Sequence, residues 1–139
     1  MEVAIFTAFF WAGYVSSISF MEAWIKFRAD GVTRPIGLSI GKRVFGALNK
    51  VEWALWLLFT IFYFFQRPLE LTGSLALLIT VTIILILQSA YFYPRLTCRA
   101  NRIIEGKTPP KSPLHLFNAI LELAKVAMIV TSGFWLLGH

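Results

Sequence analysis

Residues 115–125 read His115-Leu-Phe-Asn118-Ala-Ile-Leu-Glu122-Leu-Ala-Lys125 and carry four polar side chains through an otherwise apolar segment. At about 100° per residue, these four positions fall within roughly 80° of one helix face. Apolar residues surround that face and continue for about a dozen positions beyond it, which is the pattern of a membrane-spanning helix. Polar groups are costly in lipid, so this face is expected to lie against protein or a watery cavity.

The composition of the whole chain is that of a membrane protein. Its 139 residues are 58% hydrophobic and 14% charged, whereas soluble domains carry about 25% charged residues. The net charge of +6 would also suit a nucleic-acid-binding protein, but apolar runs of this length leave no soluble face to bind nucleic acid. The single cysteine, Cys98, excludes an internal disulfide and a cysteine-based zinc site.

Three further apolar segments precede residues 115–125, and we expect an all-α, four-transmembrane-helix bundle that forms one domain. The expected spans are about residues 3–26, 40–65, 74–105 and 113–137, the first being a retained span because no basic signal-peptide region precedes it. A kink is expected at Pro94 in the third span. Arg28-Ala29 and Arg99-Ala100 align as a weak internal repeat of two helical hairpins, although shared membrane composition explains so few matches equally well.

The Lys and Arg residues are concentrated in the first and third loops and their flanks. The second loop, residues 66–73, holds only Arg67, and the two termini hold neither Lys nor Arg. The positive-inside rule therefore predicts that both basic loops are cytoplasmic and both termini lie outside the cytoplasm. The same loops are expected to contact anionic lipid head groups of the bilayer.

Polar side chains lie on one face of each span, in the half next to the basic loops. Ser19 belongs to this stripe on the first span, and Gln88, Tyr91 and Arg102 belong to it on the third. If the four faces converge, they form one cluster. The candidate ligand- or ion-binding residues are Glu22, Lys26, Asn49, Glu52, Arg95, Arg99, His115, Asn118, Glu122 and Lys125.

Two interpretations of this cluster follow. The carboxylates and cations can neutralise one another and hold the helices together, which is the usual fate of charges inside a membrane. In that case the chain would be an accessory subunit or scaffold, self-associated or part of a larger membrane complex. Alternatively, the cluster lines a cavity that binds or transports a polar ligand or ion. No nucleophile with an adjacent base stands out, so no reaction is assigned.

A metal site is a further hypothesis. Glu22, Glu52, His115 and Glu122 supply the donor types of a di-iron or di-manganese bundle. The Glu-x-x-His spacing of such bundles is absent, however, and the neighbouring cations would repel a divalent ion. The sequence therefore identifies no cofactor.

Three runs of the chain carry a resemblance to a group of proteins. They are Glu22-Ala-Trp-Ile-Lys-Phe-Arg28, Gly41-Lys-Arg-Val-Phe-Gly-Ala-Leu-Asn-Lys-Val-Glu52, and His115 with Glu122-Leu-Ala-Lys125. They resemble small bacterial four-span integral membrane proteins of unknown function, over most of the chain. The resemblance implies the four-span architecture and a bacterial inner membrane, and it implies no activity.

Overall fold

Four long helices make up the computed structural model, which describes residues 2–66 and 73–138 apart from the side chains of Gln66 and Ser74. They are α1 (Glu2–Arg28), α2 (Arg34–Phe65), α3 (Leu75–Ile104) and α4 (Leu114–Leu137). The shortest has 24 residues, or about 36 Å at 1.5 Å per residue, so each is long enough to cross a hydrocarbon core of about 30 Å. The predicted all-α bundle of four membrane-spanning helices is confirmed. The expected second loop, with Arg67, lies outside the described residues.

The first loop is shorter than the sequence predicted. Its expected range ended near Ser39, but α2 already begins at Arg34. Pro35 occupies the first turn of this helix, where the missing N–H costs nothing because no intrahelical acceptor is available to it. Gly31, with φ of 79°, makes the turn that precedes the helix. Pro35 therefore starts this helix and does not interrupt it.

The helices form a bundle in which α1 and α3 each pack against both α2 and α4. The half next to the loops at residues 29–33 and 105–113 is called the basic half, and the half that holds the two termini is the far half. In the far half α1 packs closely on α4, and Ala4, Ala8 and Ala12 of α1 are buried; small side chains of this kind let helix backbones approach. Trp11 is buried in the same core.

The outward surface of the bundle is apolar on all four helices. A soluble protein rarely exposes so continuous an apolar surface, because its contact with water is unfavourable. In a bilayer this surface contacts acyl chains at no such cost. The exposed side chains include Phe6 and Phe10 on α1, Leu57 and Ile61 on α2, Ile79 and Ile83 on α3, and Leu116 and Ile120 on α4.

Two of the helices contain a π-helical turn near mid-length. In α1 it covers Ser17–Glu22, and in α3 it covers Gln88–Phe92. Pro94 follows the second turn, and its ring would collide with the carbonyl group of Ala90 in a regular α-helix. The wider π-turn accommodates the proline while the chain stays helical through it. After this turn α3 also changes its main packing partner, from α4 to α2.

Candidate functional site

A buried ionic network joins α2 to α4 at the middle of the bundle. The ammonium nitrogen Nζ of Lys125 lies 2.5 Å from Oε1 of Glu52 and 3.2 Å from Oε1 of Glu122. The Lys125 side chain has no exposed surface, and the two carboxylates are also buried. Charges in such a position are tolerated only when paired and hydrogen-bonded. The network is therefore one of the interactions that fix α2 against α4.

Neutral donors and acceptors complete the hydrogen bonding of this network. The Gln88 amide accepts a bond from Lys125 Nζ at 2.7 Å and donates one to Glu122. The Trp11 indole N–H donates to Glu52 Oε1 at 3.1 Å. Ser19 donates to Glu122 Oε1 at 3.2 Å. Because Ser19 and Gln88 lie in the two π-turns, both turns are tied to the same carboxylate.

A cavity of about 440 Å³ occupies the basic half, next to this network. Its wall follows α2 from Arg34 to Glu52, which is roughly 27 Å along a helix that rises 1.5 Å per residue. Glu52 and Glu122 line its inner end, and Ser112 lines it near the third loop. The size lies within the usual range of small-molecule sites, about 300–1,000 Å³.

Cations outnumber carboxylates in the wall of this cavity. Among the residues that the structure describes, four cationic side chains line it against two carboxylates. Glu22 and Lys125 do not line the cavity but pair with residues that do. Because one is negative and the other positive, counting them leaves the excess of two positive charges unchanged. The lining cations are Lys26, Arg34, Lys42 and Arg99, with His115 beside them.

The hydrogen bonds of two of these cations leave their charges uncompensated. Lys42 Nζ donates to Oδ1 of Asn101 at 2.8 Å, and Arg99 donates to the backbone carbonyl of Pro110. Both acceptors are neutral. Lys26, by contrast, pairs with Glu22 at 3.3 Å and lies over the Phe27 and Phe45 rings. The positive character of the cavity therefore comes chiefly from Lys42, Arg99 and Arg34.

Of the stripe predicted on α3, Gln88 and Arg99 line the cavity, whereas Tyr91, Arg95 and Arg102 do not. Tyr91 is exposed, and the Arg95 guanidinium stacks on its ring at 3.7 Å, away from the cavity. The prediction assumed 100° per residue throughout, but the π-turn adds one residue and rotates everything after it by about 100°. The cavity-lining positions after Gln88 are accordingly Tyr93, Leu96, Thr97, Arg99, Ala100 and Ile103.

The structure divides the remaining predicted residues into three sets. Glu52, Glu122 and Lys125 form the buried network, and Asn118 joins it by accepting a bond from Gln88 at 3.3 Å. Glu22 contacts only Lys26 among the predicted charges and does not line the cavity. The other predicted residues that line the cavity are Lys26, Asn49, Arg99 and His115.

The four residues of the metal hypothesis do not assemble. Among residues 2–66 and 73–138, no group of three or more His, Cys, Asp or Glu side chains is placed to hold a metal ion. Glu52 and Glu122 both face the Lys125 ammonium, which occupies the position that a cation would need. A divalent ion there would meet a fixed positive charge.

Sequence reasoning missed several polar contacts of the site. Trp11 carries no charge and lies in an apolar stretch, but a buried indole N–H needs an acceptor, and this residue precedes Ser19 by about two turns. Lys42 was not among the candidate site residues, although it lies on α2 and lines the cavity. Ser89 was also missed, although it accepts a bond from Trp53 at 3.0 Å and donates one to Asn49 at 2.6 Å.

Comparison of this chain with family models, with curated proteins and with solved structures finds no match.

Proposed function

We propose that this chain is a multi-pass protein of a bacterial inner membrane that binds a polar, anionic ligand in the cavity of its basic half. The single observation that carries the proposal is the excess of cations in the cavity wall. Partly buried Lys and Arg side chains that lack an anionic partner are less favourable than paired ones. A bound anion would offset that cost.

The sidedness of the site is part of this proposal. The flanks of the loop at residues 29–33, and the loop at residues 105–113 with its flanks, hold most of the Lys and Arg residues, whereas the termini at the far half have none. The positive-inside rule supports a cytoplasmic basic half, with both termini outside the cytoplasm. The ligand would then be bound from the cytoplasm or from the cytoplasmic leaflet.

The geometry favours binding over passage across the membrane. Beyond the Lys125 network, the far half is filled by packed side chains, including the buried Trp11 and Leu85. The gap lined by Trp11, Phe59 and Leu78 is only about 10 Å³, too small for a ligand. Transport would require the contact between Lys125 and Glu52 to open.

Thiol chemistry in the cavity tests the proposal. Cys98 is exposed and lies next to Thr97, which lines the cavity. In a Cys98→Ala, Thr97→Cys variant, we expect a membrane-impermeant anionic methanethiosulfonate to react faster than its cationic counterpart. The reaction should occur in inverted vesicles and not in right-side-out vesicles. Equal or reversed rates would contradict an anion site, and reaction from the outer side would contradict the orientation.

Two arginines on α3 provide a matched pair for this experiment. Arg99→Gln in the Thr97→Cys background removes a lining cation and should reduce the preference for the anionic reagent. Arg95→Gln removes a cation that stacks on Tyr91 outside the cavity and should leave the preference nearly unchanged. If both substitutions act equally, the preference reflects the membrane surface and not the cavity.

A second candidate function is that of an accessory subunit or scaffold. The observation that favours it is the completeness of the Lys125 network, in which both carboxylates are paired and hydrogen-bonded. On this alternative the network is purely structural, and the outer surfaces bind a partner. Purification of a stable complex whose formation is insensitive to Arg99→Gln and Lys42→Gln would favour the scaffold.

A further inference from the structure

We infer that the ligand of this cavity is an amphiphile, with a phosphate or carboxylate head group and a hydrocarbon chain, that enters sideways from the bilayer leaflet at the basic half. The inference rests on the proposed function, because it takes the cavity as a binding site, and adds the chemical class and route of entry. Three observations carry it.

The first observation is the division of the cavity wall along its depth. Lys42 and Arg99 stand towards the loops, and the Lys42–Asn101 hydrogen bond places the polar ends of α2 and α3 at one level. Below them, towards the network, one side of the wall is hydrocarbon or aromatic, and the polar side chains of Asn49 and Asn118 lie beside it. A small, fully hydrated anion would gain nothing from that stretch, whereas an alkyl chain would be removed from water there. The side chains of this apolar stretch are Phe45, Leu48, Tyr93 and Leu96.

The second observation is the polarity of the inner end. Glu52 and Glu122 line it, but Lys125 already pairs with both. Their hydrogen-bonding capacity is also taken up by Trp11, Ser19 and Gln88. The inner end therefore offers no unpaired cation to a second anionic group. A ligand with one charged end and one apolar end matches this arrangement.

The third observation is the sparse packing around the start of α4, which we interpret as a lateral gap. In the far half α4 packs closely against α1 and α3, but in the basic half its described residues pack little against the adjacent ends of these helices. His115 and Asn118 line the cavity on this part of α4, while Leu116, Phe117 and Ile120 are exposed on its outer side. The gap is thus bordered by lipid-facing residues. A lipid-like molecule can enter here with its chain never leaving an apolar environment.

Protection of the introduced thiol tests the inference with defined probes. The Cys98→Ala, Thr97→Cys variant is placed in phosphatidylcholine nanodiscs and treated with N-ethylmaleimide, whose lack of charge avoids effects of surface potential. We expect dodecyl phosphate to slow the reaction about tenfold near ten times its dissociation constant, because about one site in eleven is then free. Inorganic phosphate at the same concentration should slow it less than about twofold, and the neutral detergent dodecyl maltoside should not slow it.

Each other outcome overturns a stated part of the inference. Equal protection by inorganic phosphate would show that the ligand is a soluble anion, which overturns the amphiphile and leaves the proposed function intact. Equal protection by dodecyl maltoside would show that the apolar wall binds the alkyl chain without any contribution from the cations, which overturns the anionic head group. If neither dodecyl phosphate nor inorganic phosphate protects the thiol, the inference is overturned. The proposed function is then judged by the charge preference of the methanethiosulfonates alone.

Two glutamine variants show whether the cations hold the head group. Lys42→Gln and Arg99→Gln should each reduce the protection by dodecyl phosphate by several fold. Arg95→Gln, on the outer face of the same helix as Arg99, should retain it. Both variants are used because each loses a different hydrogen bond: Lys42→Gln loses the bond to Asn101, and Arg99→Gln loses the bond to Pro110. A folding defect in one variant therefore does not decide the result. Unchanged protection in both folded variants would overturn the inference.

Discussion

Lys125 Nζ lies 2.5 Å from Glu52 Oε1 and links α4 to α2 at a point where both side chains are buried. The same ammonium also contacts Glu122, so one cation serves two carboxylates. In lipid or in a protein core, a charge without its partner is far more costly than a charge in water. The stability of the bundle therefore depends on keeping this set of charges complete.

The first prediction concerns the loss of the shared cation. Lys125→Met fills similar volume but leaves Glu52 and Glu122 buried without a counterion, and we expect the free energy of unfolding to fall by about 3–5 kcal/mol. Thermal or denaturant unfolding in detergent, followed by helical circular dichroism, measures it. The triple variant with Glu52→Gln and Glu122→Gln should recover much of the loss, because no buried charge then lacks a partner. A triple variant less stable than the single one would contradict this account.

An exposed ion pair serves as the control for that measurement. Lys107 Nζ lies 2.9 Å from Glu105 Oε2 on the surface and, through its hydrogen bond and charge, lowers the pKa of Glu105. Solvent screens such a pair, so Lys107→Ala should leave the unfolding transition nearly unchanged. Because the lowered pKa stabilises the ionised form, any small difference from the unsubstituted protein should be present at neutral pH. It should disappear as the pH falls through the folded-state pKa of Glu105.

The second prediction concerns the amide that bridges the network. Gln88→Leu keeps an apolar side chain of similar size but removes an acceptor for Lys125 and a donor to Glu122. Hydrogen bonds to charged groups contribute about 1.5–3 kcal/mol, so a loss of about 2–4 kcal/mol of unfolding free energy is expected. Gln88→Glu should be worse, because a third carboxylate would then share one ammonium. A neutral effect of Gln88→Leu would show that the contacts of Gln88 carry little of the stability.

The architecture could be predicted from the sequence, because membrane-spanning helices are long apolar runs. Hydropathy and length identify such runs directly. The sequence was also sufficient for the depth of the cluster, since residues such as Glu52 and Glu122 are placed by counting along a helix. The sequence did not predict the direction in which Arg95 points, because the π-turn at Gln88–Phe92 rotates the helix turns that follow it. No pattern of charged residues indicates such a π-turn. The excess of positive charge in the cavity was not foreseen, since it depends on which cations face inward.

The third prediction concerns Trp11, which the charge pattern did not reveal. Trp11→Phe keeps an aromatic ring in the core but removes the N–H that donates to Glu52 at 3.1 Å. We expect a loss of about 2 kcal/mol, because the lost bond is to a buried charged acceptor. Trp53→Phe removes a bond to the hydroxyl of Ser89, a neutral acceptor, and should cost about 1 kcal/mol. The reverse order of the two variants would contradict a role of Trp11 in solvating the carboxylate.

The last prediction concerns the wall of the cavity near the first loop. A Cβ atom added at Gly37 would collide with the ring of Phe27, and both residues line the cavity. Phe27 is already half exposed, so Gly37→Ala should push its ring outward and widen the entrance. The reaction of N-ethylmaleimide with the Thr97→Cys thiol should then accelerate severalfold, with little change in stability.

Gly13→Ala is the matched control for this change. Outside its own helix backbone, no atom lies within 4 Å of a Cβ at Gly13, so this substitution mainly improves helix propensity, by about 1 kcal/mol. It should stabilise the bundle without changing the thiol reaction. If Gly37→Ala also leaves the reaction rate unchanged, Phe27 does not limit access to the cavity, and entry occurs elsewhere, as the lateral gap beside α4 would permit.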